Sequence, residues 1–411
     1  MDSRRRSFLA AAGSVVTGLF AGCPGFLGSG EGENGRNVTG RRVVDAGVEV
    51  PTAVESSYPQ YQYDAANTGT VPDVAGPTGA ITSLFEFGQN RFTPGHRIGS
   101  PSLHDGRLYL TEGSLDANGD ARTFVYAVDP VDGTSQWTTM YGGTNDAGPT
   151  AVTDEAVLAT VGSSVVGLDP TTGVEQWSFD RLLASGITVD GDTVYLVGTR
   201  GETAGLYALS ASDGSVRWAT DVDAGSDPVT PAVGGDTVYT GGNTVQAFDA
   251  NTGAERWSAD YSATAPTTVA GDRVIVGSGT VVRVFDPADG TELWSNDVET
   301  YGNLASPAVT DPPAVTDDTV YAVADRGLSA FSLTGGQHRF TVETGINGTP
   351  VVADGFLYMF GRGQLSCRSA ADGATEWTYG TQQQVSPNGA APVIADSVAY
   401  FPAEKLYAIA G

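Results

Sequence analysis

Seven times along this chain the glycine that closes the third turn of a repeated unit is followed four residues later by a large aromatic: Gly133 to Trp137, Gly173 to Trp177, Gly214 to Trp218, Gly253 to Trp257, Gly290 to Trp294, Gly336 to Phe340 and Gly373 to Trp377. All six tryptophans of the protein occupy this one position, and successive aromatics are 40, 41, 39, 37, 46 and 37 residues apart. A period of that length implies one supersecondary unit stacked on copies of itself, since so small a unit cannot bury its apolar surface alone.

The unit is most legible at Pro231 to Trp257, PAVGGDTVYTGGNTVQAFDANTGAERW. Alternating strands at Pro231 to Val233, Thr237 to Thr240 and Thr244 to Phe248 are separated by Gly-Gly-Asp and Gly-Gly-Asn turns. An Asp-Ala-Asn-Thr-Gly turn then leads to a strand ending in Trp257. Period-2 alternation gives each strand two faces, and blades stacked face to face bury both. Four strands in about 40 residues is the content of one propeller blade. A small residue recurs in the third strand (Ala127, Gly167, Ala208, Ala247, Ala330, Ala408) and is expected to let strands crowd toward the axis. The Asp or Ser that follows (Asp129, Asp169, Ser210, Asp249, Asp286, Ser332, Ser369) can bond turn amides two or three residues on. Each aromatic at the repeat position is expected to cover the neighbouring blade.

Seven units are complete, and Pro392 to Ile409 supplies three strands of an eighth. Its missing outer strand matches Thr78 to Phe87, with Phe85 near the tryptophan position. The expected fold is therefore all-β, an eight-bladed propeller of four-stranded antiparallel blades closed by an N-terminal strand, with seven blades and loose ends as the alternative. The 46-residue interval holds an extra Asp311-Pro312-Pro313, readable as a loop insertion on one face.

Net charge is -27, with 48 acidic against 21 basic residues, and Lys405 is the only lysine. Such a surface keeps a protein hydrated and soluble in concentrated salt. It argues against a nucleic-acid partner, which needs clustered Lys and Arg. With 40% hydrophobic residues in regular strand patterns, disorder does not account for the charge of the repeat region.

Before the repeats, the chain carries an export signature. Arg4 to Arg6 lead into an apolar run from Phe8 to Ala21, short for a membrane span. Arg5-Arg6-Ser7-Phe8-Leu9 resembles the twin-arginine signal, and Leu19-Phe20-Ala21-Gly22-Cys23 resembles a lipobox, in which Cys23 would be lipidated. A simply cleaved signal and a retained anchor are the alternatives, because Phe20 departs from the usual small or aliphatic residue. Residues 1–23 read as signal, 24–57 as a flexible acidic, Gly-rich tether and 58–411 as the propeller. Asn37 and Asn347 begin glycosylation sequons.

Chemistry is sparse. His96, His104 and His338 lie far apart without metal-ligand spacing and read as surface or turn histidines. Asp116-Ala117-Asn118-Gly119-Asp120 offers oxygen ligands but lacks the rest of a calcium loop, and reads as a hairpin tip. Cys367 falls at the small third-strand position and reads as a buried hydrophobe, with no disulfide to Cys23. No catalytic residue or metal site is assigned.

The stretch Tyr58-Pro59-Gln60-Tyr61-Gln62-Tyr63-Asp64-Ala65-Ala66-Asn67-Thr68-Gly69 reads bottom-up as packing aromatics followed by a turn. Together with the Gly-x-x-x-Trp repeat it resembles the pyrroloquinoline quinone (PQQ) type propeller family, over residues 58 to 411. That resemblance implies two functional classes. Quinoprotein dehydrogenases hold PQQ with adjacent cysteines, an Asp and calcium, and this chain has no adjacent cysteines. BamB-like lipoproteins are non-catalytic propellers that bind a partner of a membrane assembly machine. Signal, tether and bare propeller look like the second class, and the composition suggests a halophilic archaeal surface protein. The expectation is a monomeric scaffold without a cofactor, lipid-anchored at the outer face of the cytoplasmic membrane, with an unidentified protein partner. A PQQ-dependent dehydrogenase and a polysaccharide- or ligand-binding propeller are the alternatives.

Overall fold

The computed structural model describes residues 51–88, 96–180, 183–184, 186–200, 203–225, 229–302, 308–345, 348–381 and 390–411. Among them every regular element is a strand. The strands form eight separate sheets, at 97–142, 151–180, 183–221, 232–259, 268–297, 314–343, 351–380, and 393–410 joined to 82–87. They are blades one to eight of a β-propeller. In blade four the order is Ala232–Gly234, Thr237–Thr240, Val245–Asp249 and Glu255–Ala259, each antiparallel to the last. The short first strands lie nearest the axis and approach one another in ring order, while the aromatic-bearing strands lie outermost.

Blade eight closes the ring. Thr82–Phe87 pairs antiparallel with Leu406–Ala410, placing Phe85 opposite Ala408. The seven-blade alternative is set aside by this pairing. The eighth unit keeps the aromatic position but not the spacing, since Phe85 lies six residues beyond Gly79 rather than four.

The third-strand small residue has a different cause from the one expected. It does not serve crowding at the axis, because that strand is next to the outermost. Across the ladder this position faces the repeat aromatic in blades one to eight, with Val284 in place of a small residue in blade five: Ala127 and Trp137, Gly167 and Trp177, Ala208 and Trp218, Ala247 and Trp257, Val284 and Trp294, Ala330 and Phe340, Cys367 and Trp377, Ala408 and Phe85. In blade two a Cβ on Gly167 would meet the Trp177 ring at 2.3 Å, so the ring lies where only glycine leaves room for it. From there the ring reaches the next blade's turn. The Trp257 ring lies against Gly290, which has a φ of 75° and whose added Cβ would stand 2.6 Å from it. The core is accordingly a series of layers between neighbouring blades, such as Trp177, Leu158 and Val165 of blade two against Val194, Leu196 and Leu209 of blade three.

Each indole also donates across the blade boundary. Trp137 Nε1 bonds Pro170 O, Trp177 bonds Ala211 O, Trp218 bonds Ala250 O, Trp257 bonds Pro287 O, Trp294 bonds Leu333 O and Trp377 bonds Pro77 O, at 2.8–3.0 Å. The turn Asp or Ser works within its own blade: Asp169 Oδ1 accepts the amides of Thr171 and Thr172 at 3.0 and 2.8 Å.

Two readings of the sequence are revised. Asp311-Pro312-Pro313 is not a surface insertion, because all three residues are buried where the chain enters blade six. Docking of the chain also begins earlier than Tyr58. Val54 is buried, and the amides of Glu55 and Ser56 donate to Asp396 Oδ2 at 2.6 and 2.9 Å.

Candidate functional site

Every propeller has an axis onto which all its blades converge, and here the chain itself occupies one end of it. Residues 54–75 make a full circuit inside the ring. Starting from Asp396 of blade eight, the segment exchanges two backbone bonds with Leu103 of blade one through Tyr58, both 2.7 Å. The amide of Val152 in blade two then donates to Pro59 O at 2.8 Å. In blade three the Gln60 carboxamide accepts the Val189 amide at 2.6 Å and donates to the Val189 carbonyl at 2.9 Å. Val233, Val269, Val315 and Val352 of blades four to seven donate to Ala65, Ala66, Thr68 and Gly69 carbonyls at 2.6–2.8 Å. Ser397 of blade eight completes the turn by donating to Ala75 O at 2.8 Å.

Those seven donors, from Leu103 to Val352, stand at one repeat position in the first strands. Such an inner strand has no neighbour on its axial side and would leave its amides unpaired, which is costly away from water. The circuit supplies the missing acceptors. The motif Asp64-Ala65-Ala66-Asn67-Thr68-Gly69 is the turn that lets the backbone do so. Asp64 receives the Thr68 amide at 2.9 Å and the Thr68 hydroxyl at 2.7 Å. Burial nonetheless pushes the Asp64 carboxyl above its ordinary range. Asn67, at a φ of 55°, donates from Nδ2 to Pro231 O and Thr267 O, both 3.0 Å, tying blades four and five together. Gly69 has a φ of 59°, and a Cβ there would lie 2.1 Å from Gln62 Oε1.

Within the circuit sit Tyr61 and Gln62, both buried. Tyr61 Oη lies 3.3 Å from Thr349 Oγ1, which donates to Asp311 Oδ1 at 2.7 Å. Burial first, and the nearby Asp311 charge second, push the Tyr61 phenol far up; burial also pushes up the Asp311 carboxyl. This polar cluster was not anticipated. Its signal was present only as a departure from the repeat at Asp311.

The anticipated candidates are scattered. His104 pairs with exposed Asp154 at 2.8 Å, and exposed His338 bonds Thr341 at 2.7 Å. His96 is not a surface residue: its side chain is 3% exposed and its Nε2 lies 3.2 Å from Glu112 Oε1, a buried carboxylate that also accepts the Tyr126 hydroxyl at 3.0 Å. Asp116 spends its carboxylate on its own hairpin tip, accepting the amides of Asp120 and Asn118 at 2.9 and 2.8 Å and pairing with Arg122. Those bonds, the Asp120 amide foremost, hold it below the usual carboxylate range. Cys367 is fully buried against Trp377, and burial pushes its thiol up to about 12. Arg5, Arg6, Phe8, Leu9, Cys23, Asn37 and Asn347 lie outside the described residues. Among the described residues no three His, Cys, Asp or Glu side chains converge as a metal site.

A family model described as outer membrane protein assembly factor BamB matches residues 67–183 and 181–379. The chain is 28% identical over 245 residues to outer membrane protein assembly factor BamB of Yersinia pestis, covering 52% of this chain and 61% of that protein. It is 31% identical over 149 residues to serine/threonine-protein kinase AfsK of Streptomyces griseus, covering 33% of this chain and 17% of the kinase. Both matches span less than two thirds of the relative. Among solved structures, BamB from Moraxella catarrhalis has a TM-score of 0.60 at 14% identity, covering 81% of this chain and 98% of that one. Quinohemoprotein alcohol dehydrogenase from Comamonas testosteroni has a TM-score of 0.63 at 14% identity, covering 86% and 80%. At such identity these likenesses describe the fold.

Proposed function

The chain belongs to the family described as outer membrane protein assembly factor BamB, and from that premise we propose that it is a non-catalytic propeller scaffold for other proteins. In this reading it is carried outside the cell by the twin-arginine-type signal. It is held at the outer face of the cytoplasmic membrane by a lipid on Cys23, with the propeller presenting its surface to a protein partner. The names of its BamB relatives, assembly factors of the outer membrane, support an extracytoplasmic place and an assembly role.

The observation that carries the reading is the axial circuit. One end of the axis is covered by the circuit, whose acceptors, six backbone carbonyls and the Gln60 carboxamide, are committed to seven blades, and the hollow that remains there is lined by Tyr63, Asp64, Thr68 and Asp73 of the circuit with Arg273 and Asp317 of blades five and six. The quinohemoprotein dehydrogenases share the fold, which raises PQQ as a cofactor. The residues do not fit it. The only described cysteine is isolated and buried, and among the described residues no set of carboxylates converges for a divalent cation.

The test is affinity capture of the full chain from its own membranes at high salt. A stoichiometric protein partner that survives washing and is lost on changing surface side chains supports the scaffold. Repeated recovery of the propeller alone, or a visible-absorbance change and thermal shift with PQQ and calcium, overturns it.

A further inference from the structure

The end of the axis that the circuit covers keeps a hollow of about 970 Å³, between circuit residues 63–73 and the turns that follow the first strands of blades five and six. A cavity of that size lies in the range that takes small organic ligands. Three of its five lining carboxylates are already engaged: Asp64 with Thr68 at 2.9 and 2.7 Å, Asp272 with Arg273 at 2.7 Å and Asp318 with Arg339 at 2.9 Å. The other two, exposed Asp73 and Asp317, have no hydrogen-bond or ion-pair partner among the described residues.

The same hollow holds unspent donors. Arg273 commits its Nη1 to the Asp272 carboxylate and carbonyl, at 2.7 and 2.6 Å, and its Nη2 makes no bond among the described residues. Tyr63 is half-buried, its ring 5.5 Å from that of buried Tyr58 and at 69° to it, and its hydroxyl has no partner among the described residues. Pro72, Val315 and Leu333 add apolar wall. Tyr63, at a φ of 75°, and Asp73, at 55°, both stand on left-handed backbone. For a bulky residue that conformation is an outlier, of the kind that gathers at ligand sites.

A ligand matched to this set must accept from Arg273 and Tyr63, donate to Asp73 and Asp317, and cover the exposed part of an aromatic ring. An anion would meet the two free carboxylates, and a cation would meet the Arg273 guanidinium. Sugar hydroxyls donate and accept at once, and the C–H face of a sugar ring suits an aromatic side chain with a polar tip. We propose that Tyr63, Asp73, Arg273 and Asp317 form a binding site for a neutral oligosaccharide at the circuit end of the propeller. Tyr63 carries a sugar ring, Arg273 donates to its oxygens, and the two carboxylates accept from its hydroxyls. The site goes beyond the scaffold reading and does not depend on it.

The test screens the full chain against an array of neutral oligosaccharides built from hexoses, pentoses and hexosamines, with oligogalacturonate as the anionic arm and tetralysine as the cationic one. Binding is then measured by isothermal titration calorimetry. A neutral glycan is expected to bind, and both charged probes to bind at least about tenfold more weakly. Tyr63→Ala should weaken the glycan about tenfold or more, and Asp317→Asn and Arg273→Gln about three- to tenfold each. An array blank for neutral glycans, tighter binding of tetralysine or oligogalacturonate, or a glycan affinity unchanged in both Asp317→Asn and Arg273→Gln would each overturn the proposal. If Tyr63→Ala fails to fold, Asp317→Asn, at an exposed and unpaired side chain, still reads the site. The titration needs no protein partner, so its failure leaves the result of membrane capture untouched.

Discussion

At the scale of single residues, the blade boundary is a small set of donors competing for one carbonyl. Where both are present, a second-strand tyrosine and the repeat tryptophan converge on the same oxygen. Ala250 O receives Trp218 Nε1 at 2.8 Å and Tyr195 Oη at 3.2 Å, and Pro77 O receives Trp377 at 3.0 Å and Tyr358 at 3.3 Å. Where phenylalanine replaces tryptophan, the tyrosine closes in. Tyr321 reaches Ala370 O at 2.9 Å beside Phe340, and Tyr400 reaches Pro130 O at 2.8 Å beside Phe85. Losing one donor of two should matter less than losing the only one. Tyr321→Phe is therefore expected to cost about 1–1.5 kcal/mol, and Tyr195→Phe less than about 0.5 kcal/mol, in denaturant unfolding. Equal losses would show that the hydroxyls contribute only packing. Asp396 offers a pH test. Burial pushes its carboxyl up, but the Ser56 hydroxyl and the Ser56 and Glu55 amides outweigh this and hold it below the ordinary value. A depressed folded pKa gives stability that is complete above the unfolded value, about 3.9, and is lost as pH falls through the folded one. Amide exchange at Glu55 and Ser56, corrected for intrinsic rate, should show protection at pH 6 that is lost toward pH 3. Protection unchanged over that range would remove Asp396 from the docking.

At the scale of elements, the repeat was legible because side chains carry it. Glycine, a small residue and an aromatic recur at fixed spacing, and the structure assembles them into one contact: Trp257 crosses Ala247 and lands on Gly290. The reason for the small residue was misread because a one-dimensional pattern shows that space is needed but not which neighbour takes it. The axial circuit was illegible for another reason. In six of its seven blades the bond runs from backbone to backbone, across separations such as Thr68 to Val315, and an amide leaves no mark on residue type; in blade three the Gln60 carboxamide takes that place. Only the residues that bend the segment, Asp64, Asn67 and Gly69, stood out. Two glycines of blade five separate conformation from space. Gly271 has a φ of 56° with nothing near its would-be Cβ, whereas Gly290 has a φ of 75° and a ring 2.6 Å away. Gly271→Ala should cost only the backbone strain, about 1 kcal/mol, and Gly290→Ala about 2–4 kcal/mol once the Trp257 ring is displaced. The second variant should also shift tryptophan fluorescence in the folded state. Identical losses without a spectral change would mean the ring yields freely.

For the whole molecule, the N-terminal region closes the ring twice, and the two closures do different physical work. Thr82–Phe87 supplies the outer strand of blade eight, without which Leu406–Ala410 would present an unpaired edge. Residues 54–75 instead satisfy the inner edge of seven blades, and their removal exposes one amide in each to water entering the axis. At roughly 0.5–1.5 kcal/mol net for each bond, that loss sums to about 4–10 kcal/mol, a large fraction of what holds a domain folded. A chain beginning at Pro77 should therefore keep its strand content and remain monomeric in light scattering, while its unfolding midpoint falls steeply. A chain beginning at Gly88 loses the outer strand as well, and should associate in a concentration-dependent way through the bared edge. If the first truncation associates as readily as the second, the circuit is part of ring closure itself. If the first unfolds at the same midpoint as the full chain, the inner amides are served equally well by water, and the circuit contributes no stability of its own.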